Sequence, residues 1–274
     1  MEKQPGDVRT ERLEAIGLSL RDSGEALALL ALGSSAEPER LDRWSDLDFF
    51  ALLRPGAKER LLADLGWLSA AHPVAWAYRN TADGWKALFA DGVFAEFALF
   101  EPHELVHIPF SAGRLVWRAE GFDASVCTPS PRHLPQPSDP QWLLGEALSN
   151  LFIGLGRWRR GERLGGMRLI QGHAVSAVLA LLAQSEPAAP GVSRDAFAPE
   201  RRFEARHPAL AAEVHRFLPG VEHCPEAAGA MLDFLDRRYG VPPAMKTALR
   251  QLIQGDEQSN SDTQRPTGAT RQSR

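Results

Sequence analysis

Between Ala124 and Pro140 the chain carries five prolines and three serines, and the hydrophobic pattern differs on the two sides of that stretch. Proline fixes φ and lacks a backbone N–H, so regular structure is not expected there. Before it, short apolar runs alternate with Gly and Asp turns. Residues 8–22 place Leu13, Ile16 and Leu20 at helical spacing, with Gly24 as the stop. Residues 25–32 form a continuous apolar run cut off by Gly33-Ser34-Ser35, and that length with a glycine stop reads as a buried strand. A second strand is expected over 47–53, then a helix over 57–70. Short strands follow over 73–78, 85–89, 93–100 and 114–118. After the proline stretch the pattern is helical over 141–161, 164–184, 208–217, 225–239 and 243–254.

These signals predict an α+β chain. An α/β domain with a mixed sheet spans 1–123, a Pro-rich linker 124–140, and an all-α domain 141–254. Residues 255–274 are Gln, Ser, Thr, Asp and Arg, too polar to offset their ordering entropy, and are expected to be a disordered tail.

The net charge of −4 over 274 residues argues against a nucleic-acid partner, which would call for a basic excess. The two cysteines, Cys127 and Cys224, have neither zinc-ligand nor disulfide-framework spacing. The first ten residues lack the apolar core of a signal peptide. No apolar run approaches the roughly 20 residues of a membrane span, and 174–183 is the most apolar stretch. A cytoplasmic protein with no membrane partner is the expectation.

The chemistry-bearing pattern is Gly33-Ser34, then eleven residues, then Asp46-Leu47-Asp48-Phe49. Asp46 and Asp48, two apart at a strand start, project from one face while Leu47 and Phe49 point to the core. Two adjacent carboxylates repel, and a divalent cation removes that repulsion; Mg²⁺ takes one or two carboxylates plus substrate phosphates. Gly33 permits a tight turn whose N–H groups, with the Ser34 and Ser35 hydroxyls, can cradle phosphate. A lone Asp-x-Asp is more often solvated surface, so the combination carries the signal.

Leu32-Gly33-Ser34 with Trp44-Ser45-Asp46-Leu47-Asp48-Phe49 resembles the signature of the DNA polymerase beta-like nucleotidyltransferase superfamily. The resemblance implies a nucleotidyltransferase domain in which the Gly-Ser turn holds a nucleoside triphosphate. A third carboxylate on a neighbouring strand would join Asp46 and Asp48 to position two Mg²⁺ ions for in-line attack at the α-phosphorus. That carboxylate maps to Glu96, because a glutamate inside an apolar strand is costly unless paired or metal-bound; Glu101 is the fallback.

The stretches 92–97, 101–105 and 157–162 resemble the antibiotic-modifying branch, lincosamide and aminoglycoside nucleotidyltransferases. The chain departs after the turn, with Ala36-Glu37-Pro38-Glu39-Arg40 where many relatives carry a small residue, Arg and Gly. In the first helix of the second domain Leu144, Leu148, Leu151, Leu155 and Trp158 form one face, with Glu146, Asn150, Arg157 and Arg160 opposite. Arg157 is the phosphate-binding candidate there. Relatives of the kanamycin type carry their general base where this chain has Ile153, so Glu146 is the substitute base.

The expected reaction, in a cleft between the domains, is Mg²⁺-dependent transfer of a nucleotidyl group from a nucleoside triphosphate to a hydroxyl of a small-molecule acceptor. A homodimer is compatible with it. The competing readings are a transferase acting on a protein or metabolite, and a catalytically inactive binding or scaffold module.

Overall fold

The computed structural model describes residues 5–131, 138–192, 194, 195 and 197–255. The chain divides into two compact units, Met1–Pro135 and Gln136–Arg274. The division falls within the stretch expected to link two domains, of which residues 132–137 lie outside the described residues. So does the tail from 256 onward.

The first unit is a six-stranded mixed sheet with helices on one face. Its elements are α1 (Pro5–Asp22), β1 (Ala26–Leu32), β2 (Leu47–Leu53), α2 (Lys58–Ala63), α3 (Gly66–Ala71), β3 (Val74–Arg79), β4 (Gly84–Phe89), β5 (Phe94–Phe100) and β6 (Arg114–Arg118). The strand order is β3-β4-β5-β2-β1-β6. Only the β2–β5 pairing is parallel; the other neighbours run antiparallel. The α+β class expected from the sequence is the class observed.

Alternation sorts the side chains. Leu29, Ala31, Leu47, Phe49, Ala51, Leu53, Ala95, Phe97 and Leu99 point to the face covered by α1, α2 and α3, where Leu13, Ile16, Leu62 and Leu68 complete the core. Phe49 and Phe97 stack with centroids 5.0 Å apart, and Trp67 meets Phe97 edge-on. On the opposite face Leu30, Leu52 and Phe100 are buried with Leu105, Phe110 and Cys127, which come from the 3-10 turns Pro102–His107 and Ala124–Cys127 and the chain between them. Lys58 clamps this cover through Glu104 at 2.6 Å, while Glu101 accepts from the Gly56 N–H at 2.8 Å.

The helix expected over 57–70 is two helices. Asp64 is extended and its carboxylate accepts from the Gly66 N–H at 2.8 Å, so a side-chain turn ends α2 and starts α3.

The second unit holds α4 (Pro140–Arg159), α5 (Arg163–Met167), α6 (Val175–Ser185), α7 (Phe203–Arg206), α8 (Pro208–His215), α9 (Cys224–Tyr239) and α10 (Pro243–Gln254). Asp139 caps α4. The helix expected over 164–184 contains a π-helical turn, Arg168–Ala174, between α5 and α6. The whole run Arg163–Ser185, 23 residues with a window of mean hydropathy 1.4, is long and apolar enough to cross a membrane by length and composition, contrary to the sequence reading. Half of that window is buried within the structure, and Ile170, Ala174, Val178 and Leu182 are core residues.

Two glycines let α4 and α5 approach at backbone distance. A Cβ on Gly166 would lie 2.8 Å from the Gly154 carbonyl oxygen and 2.9 Å from the Trp158 nitrogen, neither of which can swing aside. Gly145, on the exposed side of α4, has nothing within 4 Å. Gly166→Ala is therefore expected to lower the unfolding free energy by about 2–3 kcal/mol. Gly145→Ala should raise it by about 0.5–1 kcal/mol by relieving glycine entropy in a helix. Urea melts of the two variants check the pair, and equal effects would mean that the close approach is absent.

Candidate functional site

The turn after β1 and the start of β2 form one tied assembly. Gly33 has φ +51, and a Cβ there would lie 2.7 Å from Asp48 Oδ2, so the turn packs directly against the carboxylate. Leu32 and Asp48 are register partners in the β1–β2 ladder. The fully buried Ser35 hydroxyl accepts from the Asp48 N–H at 3.1 Å and reaches the Asp46 carbonyl at 3.4 Å. Arg114 of β6 donates to the Ser35 and Ala36 carbonyls at 3.3 and 3.2 Å. Ser34 is buried to 8% exposure, and its carbonyl accepts from the Glu37 N–H. Ser35, expected among the phosphate-binding groups, is thus engaged as a strut beneath both aspartates.

The loop before β2 is held equally firmly. Asp42 accepts from the Trp44 N–H at 2.8 Å and from the Ser45 hydroxyl, and these bonds hold its carboxyl below the ordinary value. Arg9 of α1 donates to the Arg43 carbonyl at 2.6 Å and to the Ser45 carbonyl. Glu37, the acidic departure after the turn, is ion-paired with Arg40, which offsets its charge locally.

The parallel β2–β5 register makes Asp48 and Glu96 direct partners. The next ladder pairs Glu96 with Lys86, and the two side chains form an ion pair at 2.8 Å. Asn80 donates to the other Glu96 oxygen at 3.2 Å. The Lys86 pKa is raised above its ordinary value by the hydrogen bond and charge of Glu96, with smaller contributions from Tyr78 and Asp46, against a slight loss of hydration. Lys86 is the residue that sequence reasoning missed. Its signal was available: a charge amid Trp85, Ala87 and Leu88, as Glu96 sits amid Phe94, Ala95 and Phe97. Glu101, the fallback, lies at the far end of β5 and forms a capping box with Glu104.

Among the described residues, no three His, Cys, Asp or Glu side chains converge as a group that could hold a metal ion. Asp46 and Asp48 share a face and suit a divalent cation that takes its remaining ligands from water and phosphate. Glu96 is committed to Lys86 and Asn80 in this arrangement.

Glu146 and Arg157 belong to the second unit. Glu146 lines a pocket of about 410 Å³ with Trp142, Leu143, Asn150, Leu169 and His173. Arg157 is exposed outside that lining, while Arg160 pairs with Glu162 at 3.1 Å. Gln171 is occupied by both backbone groups of Gly220.

No protein-family model matches the chain, and no curated protein matches it. Among solved structures it is similar to an aminoglycoside 6-adenyltransferase from Bacillus subtilis, at 10% identity over 89% of this chain and 91% of that one, with a TM-score of 0.33.

Removing the strut is the direct check on the assembly. Ser35→Ala leaves the Asp48 N–H without its acceptor and should cost about 1–3 kcal/mol of stability. In amide NMR the largest shifts should fall at Asp46, Asp48 and Gly33. Shifts spread evenly over the sheet would mean that Ser35 does not position the aspartates.

Proposed function

We propose that the chain is a magnesium-dependent nucleotidyltransferase that moves a nucleoside monophosphate from a nucleoside triphosphate to a hydroxyl of a small molecule, an antibiotic-type acceptor of the lincosamide or aminoglycoside kind. The observation that carries the reading is the Gly33 turn packed against Asp48, with Glu96 as its register partner on β5. The sequence resemblance supplies the reaction class, and the tied turn supplies its physical basis.

In this reading the N–H groups of the Gly33-Ser34 turn bind the triphosphate tail, which a flexible positive-φ glycine lets approach closely. Asp46 and Asp48 hold magnesium, which supplies charge neutralisation at the transferring phosphoryl group. Ser35, Arg114 and Arg9 keep those two carboxylates from moving as charge develops, which is the preorganisation such transfers need. Glu96 completes the acidic face when Lys86 releases it. Glu146 is the carboxylate of the second unit assigned to take the acceptor proton, and Arg157 the cation assigned to phosphate.

A second reading has one observation in its favour. The Glu96–Lys86 ion pair satisfies the third carboxylate without metal, as a binding module that carries out no transfer would have it.

A pyrophosphate-release screen separates the two. Four nucleoside triphosphates with Mg²⁺ are tested against lincosamides, aminoglycosides and generic metabolites, with Asp46→Asn as the control. Release with an antibiotic acceptor, absent from the control, is the expected result. Asp48→Asn should also abolish magnesium-dependent triphosphate binding in calorimetry with the melting temperature retained. Equal affinity in variant and parent would remove Asp48 from the site.

A further inference from the structure

Arg206 is the last residue of α7, and it is only 2% exposed. An unpaired charge held away from water is costly, so a buried guanidinium is expected to meet a carboxylate. Among the described residues Arg206 meets none. Its Nη2 donates to the Pro199 carbonyl, and its buried Nε has no hydrogen-bond partner.

The neighbouring charges deepen the imbalance. Burial first, then the like charges of Arg194 and Arg202, pull the Arg206 pKa below the ordinary arginine value, while the charge of Asp195 opposes them. Asp195 is already committed. Its Oδ2 pairs with Arg201 at 3.1 Å, and its Oδ1 accepts from the Phe197 and Ala198 N–H groups at 2.9 and 3.2 Å. Glu186, the carboxylate that acts on the adjoining His207, pairs with Arg238. Burial and the Arg206 charge hold the His207 pKa below its ordinary value, so that ring is neutral at pH 7. The resident carboxylates are therefore engaged with other cations, and the Arg206 charge is left over.

The chain before α7 is tied to Arg206 on both sides of Arg194. The Ala189 N–H donates to the Arg206 carbonyl at 2.8 Å, and Pro199 accepts from the guanidinium. Arg194 itself is exposed and forms no ion pair among the described residues. That cover sets the size of a ligand, since a guanidinium so enclosed leaves room for a small ion and not for a nucleotide or a peptide. Charge sets its kind. Arg206 and Arg194 together match a dianion, and the forked donors of arginine suit the oxygens of a tetrahedral oxyanion.

We propose that Arg206 and Arg194 form a binding site in the second unit for a small tetrahedral oxyanion, phosphate or sulfate. One oxygen accepts from the Arg206 Nε–H, and Arg194 closes on the ion from the solvent side. The site is independent of the transfer reading and of the Gly33 turn.

The probe is inorganic phosphate, added to the full chain without nucleotide or magnesium. Melting temperature is followed against phosphate, sulfate, acetate and chloride at matched ionic strength. Phosphate and sulfate stabilise proteins generally at high concentration through exclusion from the surface, so the signal is the saturable low-millimolar rise. Phosphate and sulfate should both give it, and acetate should not exceed chloride. Arg194→Gln, on an exposed side chain, should weaken the apparent affinity about tenfold, the size of one charge-assisted hydrogen bond. Arg206→Met, which keeps the length of the stem, should abolish the saturable rise. Arg250→Gln on α10 is the control and should respond as the parent does.

A second measurement needs a variant only for assignment. The Arg206 Nε–H signal in NMR, identified by its loss in Arg206→Met or by sequential assignment, should move downfield on adding phosphate as the bond forms. The proposal is overturned if phosphate raises the melting temperature no more than acetate does, or if phosphate leaves the Nε–H signal unmoved. It is overturned equally if both arginine variants keep the parent's response, because the ion then sits elsewhere, the Gly33 turn included.

Discussion

The parallel pairing of β2 with β5 is the constraint on which the first unit turns. A parallel pair cannot be closed by a tight turn; it needs a crossover. Here α2, α3 and the β3–β4 hairpin fill it. The register brings Asp48 and Glu96 side by side on adjacent strands, where like charges directly opposite are unfavourable. The crossover itself supplies the remedy, since β4 returns antiparallel to β5 with Lys86 opposite Glu96. The connection that creates the repulsion also carries the cation that offsets it.

The turn before β2 obeys a different requirement, stiffness. Only a residue without Cβ fits between the chain and the Asp48 carboxylate at φ +51, which is why glycine stands at position 33. Ser35, Arg114 and Arg9 reach the same short segment from the turn, from β6 and from α1. Three separate elements therefore fix two aspartates whose own side chains remain on the surface side of the strand. Stability is concentrated in the backbone around the carboxylates.

Much of this was legible because it depends on local pattern. Alternation over 47–53 placed Asp48 outward and Phe49 inward, and the strand observed has those bounds. The glycine stop after 32 was equally local, whereas the start of the Pro-rich stretch, expected to be irregular, forms the 3-10 turn Ala124–Cys127 and packs Cys127 into the core. What escaped depends on side chains acting at a distance or on a period the eye does not test. The break between α2 and α3 follows from Asp64 capping Gly66, in a segment whose Leu61, Leu65 and Leu68 look like one helical face. The π turn Arg168–Ala174 leaves composition unchanged while shifting the period. Cross-strand register depends on turn geometry and hairpin length, so the neighbour of Glu96 could not be named from the sequence. Glu96 and Lys86 each stand amid apolar residues, yet both lie on the partly exposed face of the sheet, with side chains 43% and 30% exposed.

Each Glu96 oxygen accepts from one neighbour, Lys86 or Asn80, and a divalent ion that used Glu96 would compete with the lysine for it. Linkage makes that competition reciprocal: whatever binds Glu96 weakens the Lys86 contact by as much as that contact weakens its binding. A partly exposed ion pair between flexible chains contributes little to stability, so the lysine competes weakly for Glu96. A weak resident pair of this kind offsets the charge of Glu96 and yields to a stronger cation. Two unpaired carboxylates on adjacent strands would have no such resting state, and a strong buried pair would have no way out of one.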